Sequence, residues 1–280
     1  MIAAFGLIHW NCDPILLSIG DFGIRYYSLC WVAGFILGYL VLRQAFKKSR
    51  MDLSLLEPLF IYVLLGALIG ARLGHCLFYD WKYYSHHLLE IFLPVSITQS
   101  GVKFTGYAGL ASHGGAIGLI ICLLIFSKKY HVPLLSLLDY LAYATPLGGA
   151  FIRIGNFFNS EILGAPTNSN WGVVFDWVDS IPRHPAQLYE ALAYVITFFI
   201  LYLFLRHNKD KKKQPGALFG LSVTLIFMSR FLIEFCKEVQ EPFEIQLRNS
   251  IGLNMGQLLS IPFILAGLWF LLRKGRQPIC

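Results

Sequence analysis

The sequence predicts an all-α integral membrane protein with seven transmembrane helices and a small periplasmic cap. First, the 280 residues are 56% hydrophobic and only 14% charged, whereas about a quarter of the residues in soluble domains are charged. Second, seven stretches have the roughly 20 mainly apolar residues that a membrane-spanning helix needs. The stretches are 24–45, 57–79, 108–127, 133–158, 187–206, 216–236 and 255–273.

The third observation is that basic residues are concentrated in alternate connections. Fourteen lysines and arginines follow the first, third, fifth and seventh stretches, and the other connections hold only Lys82, Lys103, Arg183, Lys237 and Arg248. Because cytoplasmic loops carry the excess of lysine and arginine, we predict a periplasmic N-terminus and a cytoplasmic C-terminus. The net charge of +7 therefore indicates orientation in a membrane, and we expect no nucleic-acid partner.

The chain is predicted to form a single domain over 1–280, with the cap at about 160–186. That segment holds Gly, Pro, Asn and Trp in no helical pattern. Gly66, Gly70 and Gly74 share one stripe of the second helix and predict close contact with another helix, as small residues allow in membranes. The six cysteines show no metal-ligand spacing, so we expect buried thiols and no metal site.

A polar cluster stands at the end of the fourth stretch, where Arg153, Asn156 and Glu161 follow an apolar run. Ionised groups at membrane depth are costly and normally face a bundle interior, a cavity or a partner. The cluster therefore predicts a binding site for an anionic group. Gly155 and Gly164 are predicted to bend the chain from helix to cap. The alternative for Arg153 is a structural ion pair with Glu161.

Two other arginines lie within apolar stretches. Arg230 and Glu234 are four residues apart, the spacing of an ion pair within one helix. Arg230 can instead meet a lipid phosphate, because a planar guanidinium engages two oxygens at once. Arg72 either extends its charge to the membrane interface or pairs with an acid.

His113, Gly114 and Gly115 open the third helix, where the glycines expose backbone N–H groups and let a ligand approach. This pattern favours a functional histidine. Tyr27 is either an interfacial aromatic residue or a hydrogen-bond donor to a headgroup. Gln187 and Glu190 enter the fifth helix on one face and are predicted to support the site, and 255–262 is expected to be structural.

These residues closely resemble the bacterial phosphatidylglycerol–prolipoprotein diacylglyceryl transferases over nearly the whole chain. The central signature of that family is G-R-x-G-N-F-x-N-x-E-x-x-G. This chain departs from the family at Ile152, Ile226 and Lys237, where a glycine, a tyrosine and an arginine are expected. The matching segments are 19–27, 72–79, 113–115, 153–164, 183–190, 230–235 and 255–257.

The resemblance implies a multi-pass enzyme of the bacterial inner membrane. It would transfer the diacylglyceryl group of phosphatidylglycerol to the lipobox cysteine of a prolipoprotein signal peptide, forming a thioether and releasing glycerol 1-phosphate, the first step of lipoprotein maturation. No metal or organic cofactor is implied. The resemblance implicates Tyr27, His113, Arg153, Arg230, Asn156 and Glu161. We predict that the catalytic residues are His113, Arg153, Arg230 and Tyr27. The predicted substrate-binding residues are Arg153, Asn156, Glu161, Gly114, Gly115 and Glu234.

His113 is the candidate base for the substrate thiol, or it only positions the headgroup. The alternative function is an anionic-lipid transporter or flippase that uses the same arginines without chemistry. Such a protein needs a polar path to the cytoplasmic helix ends, and the sequence shows none because the polar groups gather toward the outer half.

Overall fold

Seven membrane-spanning helices are present, as predicted. The structure is a computed structural model that describes residues 7–19, 22–93, 95–98, 101–104, 109–168, 172–207, 214–238 and 242–273. Within these ranges seven helices are long and apolar enough to cross a membrane: Tyr26–Ser49, Leu53–Phe78, Ser112–Lys129, Leu134–Phe158, Ala186–His207, Ala217–Cys236 and Met255–Leu272. Their bounds agree with the predicted stretches to within a few residues. Residue 108, the predicted start of the third stretch, lies outside the described ranges.

The helices are numbered in chain order. The spanning ones are α1 (Tyr26–Ser49), α2 (Leu56–Phe78), α5 (Ser112–Lys129), α6 (Leu134–Phe158), α7 (Ala186–His207), α8 (Ala217–Ile233) and α10 (Met255–Leu272). A 3₁₀ turn, Leu53–Leu55, precedes α2, and another, Glu234–Cys236, follows α8. Three further helices were not predicted: α3 (Trp81–Tyr84), α4 (Leu88–Phe92) and α9 (Pro242–Ile251). They are too short to cross a bilayer, so hydropathy over a spanning length does not detect them.

Among the described residues there are also seven short strands that were not predicted. They are β1 (Ile8–Trp10), β2 (Ile15–Ile19), β3 (Phe22–Arg25), β4 (Val95–Thr98), β5 (Gly101–Phe104), β6 (Val173–Phe175) and β7 (Pro182–Arg183). β6 pairs with β1 in parallel and with β7 antiparallel, and β2–β3 and β4–β5 are antiparallel pairs. Strands of two to five residues are too short for a reliable alternation signal. β6 and β7 give structure to the predicted cap.

The chain divides into two compact units. The first comprises Met1–Ala45 and Leu138–Cys280, and the second comprises Phe46–Leu137. The prediction of a single domain over 1–280 stays a prediction.

In the second unit, α2 packs closely along α5. A Cβ placed on Gly74 would lie 2.6 Å from the Cα of Gly114, and one on Gly66 would lie 2.8 Å from the Cβ of Cys122. Neither distance leaves room for a side chain. This confirms the close helix contact predicted from the glycine stripe of α2, and it explains why small residues recur there.

In the first unit, the starts of α8 and α10 are fixed by polar side chains. The Asp139 carboxylate on α6 accepts hydrogen bonds from the backbone N–H groups of Gly216 and Phe219, at 2.6 and 2.8 Å. Asn254 and Gln257 form a capping box that begins α10. Both arrangements satisfy backbone donors that have no partner within their own helix. They fix the ends of two helices that carry residues of the candidate site.

Candidate functional site

The polar cluster predicted at the end of α6 is a connected set of hydrogen bonds in the first unit. Arg153 Nη1 donates to Asn156 Oδ1 at 3.3 Å, and Asn156 Nδ2 donates to Glu161 Oε1 at 2.6 Å. The Glu161 N–H donates to the Asn156 carbonyl at 3.1 Å. Asn156 is only 4% exposed. Its amide therefore separates the guanidinium from the carboxylate and orients both.

The bend after α6 is made by residues other than those predicted. Ser160 and Ile162 have positive φ angles of 52° and 56°, a region costly for a β-branched residue. Gly155 lies within the helix instead, where a Cβ would be 2.7 Å from Cδ2 of Tyr27. The prediction that Gly155 bends the chain is wrong, because its role is to let α1 approach α6.

Arg153 forms its ion pair with Glu190, at the start of α7. Arg153 Nε lies 2.8 Å from Glu190 Oε2, and Lys237 Nζ lies 2.9 Å from Glu190 Oε1. The Glu190 side chain is 1% exposed. The structural alternative of an Arg153–Glu161 pair is wrong, because Asn156 occupies the space between them. A buried carboxylate needs such compensation, and here two cations share it.

Gln187, one helical turn before Glu190, is also fully buried. Its Nε2 donates to the main-chain carbonyl of Glu161 at 2.7 Å. The start of α7 therefore holds the cluster at two points, the Glu161 backbone and the Arg153 guanidinium, as the predicted supporting role requires.

Arg230 and Glu234 do not form the ion pair that their spacing allows. Glu234 Oε2 lies 3.3 Å from Lys237 Nζ instead. Within the described part of the chain, no hydrogen bond or ion pair engages Arg230. Its side chain is partly exposed and faces a cavity.

This cavity has a volume of about 260 Å³ and collects the charges of several elements. Arg153 and Arg230 both line it, so the structure brings together the two predicted arginines from α6 and α8. The other lining residues are Ile162, Glu234, Lys237, Glu238, Glu244, Met255, Gly256 and Leu259.

Arg183 ties the cap to the segment that follows α8. Its Nη2 lies 2.6 Å from Asp179 Oδ2, and its Nη1 lies 2.8 Å from Glu238 Oε2. The backbone of Gly164 pairs with that of Lys237 beside it. The Arg183 hydrogen bond lowers the pKa of Asp179, and the Asp179 bond raises the pKa of Arg183. These contacts fix one wall of the cavity.

Tyr27, the second residue of α1, packs beside the signature. Its ring contacts the backbone of Gly155 and lies edge-on to Trp31, with ring centroids 6.3 Å apart. No hydrogen bond from a described residue reaches its hydroxyl, which leaves that group available to a ligand.

The remaining predicted site residues belong to the second unit. His113 is the second residue of α5 and is exposed, without a hydrogen bond to any described residue. Gly114 is buried against α2, where a Cβ would be 2.7 Å from the Cα of Gly74. The structure thus gives Gly114 a packing role. Substrate binding by Gly114 and Gly115 stays a prediction.

Lys237 is the residue of the site that sequence reasoning missed. It was predicted to be a connection residue that departs from the resembled family, yet it is 7% exposed and contacts two carboxylates. A lysine is rarely so buried unless it is paired. The available signal was its place three residues after Glu234, the spacing of a helical ion pair.

Comparison with known proteins identifies the family. Residues 14–273 match the family model described as prolipoprotein diacylglyceryl transferase. Proteins named phosphatidylglycerol–prolipoprotein diacylglyceryl transferase are 48% identical in Bacteroides fragilis, over 96% of each chain, and 40% identical in Tolumonas auensis, over 97% of this chain and 99% of that one. The relative from Porphyromonas gingivalis is 41% identical over 97% of this chain and 96% of its own. The chain is a multi-pass membrane protein that belongs to the prolipoprotein diacylglyceryl transferase family.

Proposed function

We propose that the protein transfers the diacylglyceryl group of phosphatidylglycerol to the lipobox cysteine of a prolipoprotein signal peptide. The observation that carries this proposal is the cavity that Arg153 and Arg230 share. The names of the relatives support the same reaction. The transporter alternative receives no support from those names.

The two arginines suit a lipid phosphate for different reasons. Arg153 is held by Glu190 through Nε and by Asn156 through Nη1, which leaves further N–H donors of its five to a ligand. Arg230 has no such partner among the described residues. Together the two guanidinium groups form a clamp: Arg153, which its partners hold in place, sets the geometry, and Arg230 supplies additional positive charge.

The reaction needs a nucleophile that the substrate itself brings. The thiolate sulfur of the acceptor cysteine attacks the glyceryl methylene carbon, and a C–S bond forms as the C–O bond to the phosphate breaks. The bonding electrons pass to the leaving oxygen, so glycerol 1-phosphate leaves with increased negative charge. Donors fixed where charge develops stabilise such a transition state, and this is the role of Arg153 and Arg230.

The thiol proton must be removed before or during attack, because a free cysteine has a pKa of about 8.5 and is mostly protonated at neutral pH. His113 is the proposed base, since it is exposed and carries no competing hydrogen bond to a described residue. Tyr27 is proposed to bind the headgroup through its hydroxyl, and Asn156 and Glu161 to hold Arg153 in place.

The proposed location is the bacterial inner membrane, with the N-terminus in the periplasm and the C-terminus in the cytoplasm. The asymmetry of basic residues supports this orientation. With this orientation, the signature end of α6 lies near the periplasmic surface.

The test is direct transfer by purified protein. Phosphatidylglycerol and a synthetic lipobox peptide are incubated with the protein in detergent, and the mass of the peptide is measured by mass spectrometry. We expect one diacylglyceryl group to be added. A Cys→Ser peptide and phosphatidylcholine in place of phosphatidylglycerol are the controls. If the peptide mass does not change while a curated relative modifies it under the same conditions, the proposal is wrong.

A further inference from the structure

The Glu234 carboxylate occupies the space that a side chain on residue 256 would need. A Cβ built on Gly256 would lie 2.6 Å from Cδ of Glu234, and 2.7 and 3.0 Å from its two oxygens. No real Cβ contact is this short, so only glycine at 256 accommodates the carboxylate in this position. The two residues come from different elements, α10 and the 3₁₀ turn after α8.

The surroundings of Glu234 make this position favourable for a negative charge. Gly256 is the second residue of α10, and the first backbone N–H groups of a helix have no partner within it and carry partial positive charge. Lys237 Nζ lies 3.3 Å from Oε2 of the carboxylate. The Glu234 carboxylate therefore lies close to both the start of α10 and a buried lysine.

This position matters because Arg230 is the nearest alternative partner along the chain. Residues four apart in a helix lie on the same face and form ion pairs readily. A carboxylate displaced from Gly256 would turn toward Arg230. It would then compete directly with the phosphate of a lipid for the same guanidinium.

We infer that Gly256 and Lys237 are positioning residues that keep the Glu234 carboxylate away from Arg230, so that Arg230 remains available to the phosphate of phosphatidylglycerol. The inference rests on the proposed function. It explains why the structure lacks the Arg230–Glu234 pair that the sequence spacing favours. It also gives Lys237 a function beyond neutralising Glu190, because the same ammonium group holds both carboxylates.

Gly256→Ala is the decisive substitution. The atoms it meets are the far end of one flexible side chain, so the protein can fold by moving that carboxylate. We expect the KM for phosphatidylglycerol to rise about tenfold, the loss typical of a weakened charged hydrogen bond, and kcat to fall as well, because Arg230 also stabilises the charge on the leaving phosphate. Gly267→Ala is the matched control on the same helix. Its Cβ would lie 2.5 Å from Thr224 Oγ1 and 2.8 Å from the Gly220 carbonyl oxygen and the Thr224 nitrogen. Because these atoms belong to α8 and not to Glu234, the substitution should lower Tm without raising this KM.

A second substitution separates charge from packing. In Gly256→Ala/Glu234→Gln the displaced group has the same size but no charge, so it cannot neutralise Arg230. We expect the double variant to recover most of the lost affinity for phosphatidylglycerol, measured both as KM and as direct binding to nanodiscs that contain this lipid.

Three results are distinguishable. Recovery in the double variant supports the inference. If Gly256→Ala leaves KM unchanged, or if the double variant binds as poorly as the single one, the inference is overturned while transfer by the unsubstituted protein stands. If the unsubstituted protein binds phosphatidylglycerol but transfers nothing to the peptide, the proposed function fails instead, and the binding measurements still decide whether Gly256 controls Arg230.

Discussion

Each of the two units contains a cavity of about 260 Å³ that is lined by arginine, and the surroundings of Arg153 in the first unit differ from those of Arg72 in the second. In the first unit, Arg153 shares its cavity with Arg230, Lys237 and acidic side chains. In the second unit, Arg72 is the only charged residue among the described ones that line the cavity. The others are Leu65, Leu68, Ile69, Leu73, Ile91, Phe92 and Leu110.

The difference lies in what the guanidinium donors contact. Arg72 donates to the main-chain carbonyls of Ile91, Glu90 and Gly109, at 3.1, 2.6 and 3.4 Å, and its guanidinium carbon lies 4.8 Å from the centre of the Tyr84 ring. Arg72 therefore fixes the backbone around α4. An arginine bound to main-chain oxygens indicates a structural role, whereas one held by a carboxylate beside a polar cavity indicates a ligand site.

The largest effect is expected from replacing Arg153. Arg153→Ala should abolish transfer, since the loss of one charge-stabilising donor group alone costs about 10²–10³ in rate. Arg153→Lys should be severely impaired, because a point charge cannot keep the bidentate geometry. Initial rates of peptide modification measure both, with the exposed Arg43→Lys as control. Activity retained in Arg153→Ala would rule out the phosphate clamp.

His113→Asn tests whether the second unit contributes chemistry as well as structure. If His113 is the base, the rate should fall by about 10²-fold or more, the usual contribution of a general base. The comparison is with His131→Asn, since His131 is an exposed histidine two residues after the end of α5. A rate close to that of the unsubstituted protein would leave His113 a positioning role only.

Glu190→Gln should reduce transfer by about 10²-fold, because small misplacements of a binding group have effects of that size. The amide keeps the shape but removes the charge that Arg153 and Lys237 share. The KM for phosphatidylglycerol and kcat are measured beside those of Glu57→Gln, an exposed residue of α2. Equal activity in the two variants would show that Glu190 does not orient Arg153.

Arg72→Met should affect stability rather than catalysis. Main-chain carbonyls of Glu90, Ile91 and Gly109 would lose a buried donor, and we expect the free energy of unfolding to fall by about 2 kcal/mol. Thermal unfolding in detergent measures this, together with the rate per folded molecule, which should stay within about threefold of the original. A large rate loss at unchanged Tm would contradict the structural role.

The smallest effect is expected at the cap. The Asp179 pKa lies below its ordinary value of 3.8, because of the Arg183 hydrogen bond. A lowered pKa contributes stability that is present above pH 3.8 and is lost as the pH falls through the folded-state pKa. Asp179→Asn should therefore lower Tm slightly at pH 7, and the difference from the original protein should disappear under strong acid. A difference that grows on acidification would contradict this assignment.

The sequence predicted the spans, and it predicted only part of the pairing among the candidate site residues. Arg153, Asn156 and Glu161 lie within nine residues of one another, so their association is local and could be predicted. The Arg153–Glu190 and Glu190–Lys237 pairs join residues 37 and 47 positions apart. No helical or strand periodicity relates positions that far apart. Helical spacing favoured both Arg230–Glu234 and Glu234–Lys237, and only the second pair forms.

The sequence by itself determined the class, the seven spans and the family, because length, hydropathy and the polar signature are properties of short segments. Only the tertiary structure decided which carboxylate neutralises which cation. That choice depends on where α7 and α10 begin relative to α6 and α8, since a buried charge pairs with whatever the packing brings within about 3 Å. Glu190 therefore holds Arg153, Gly256 makes room for Glu234, and Arg230 is left facing the cavity.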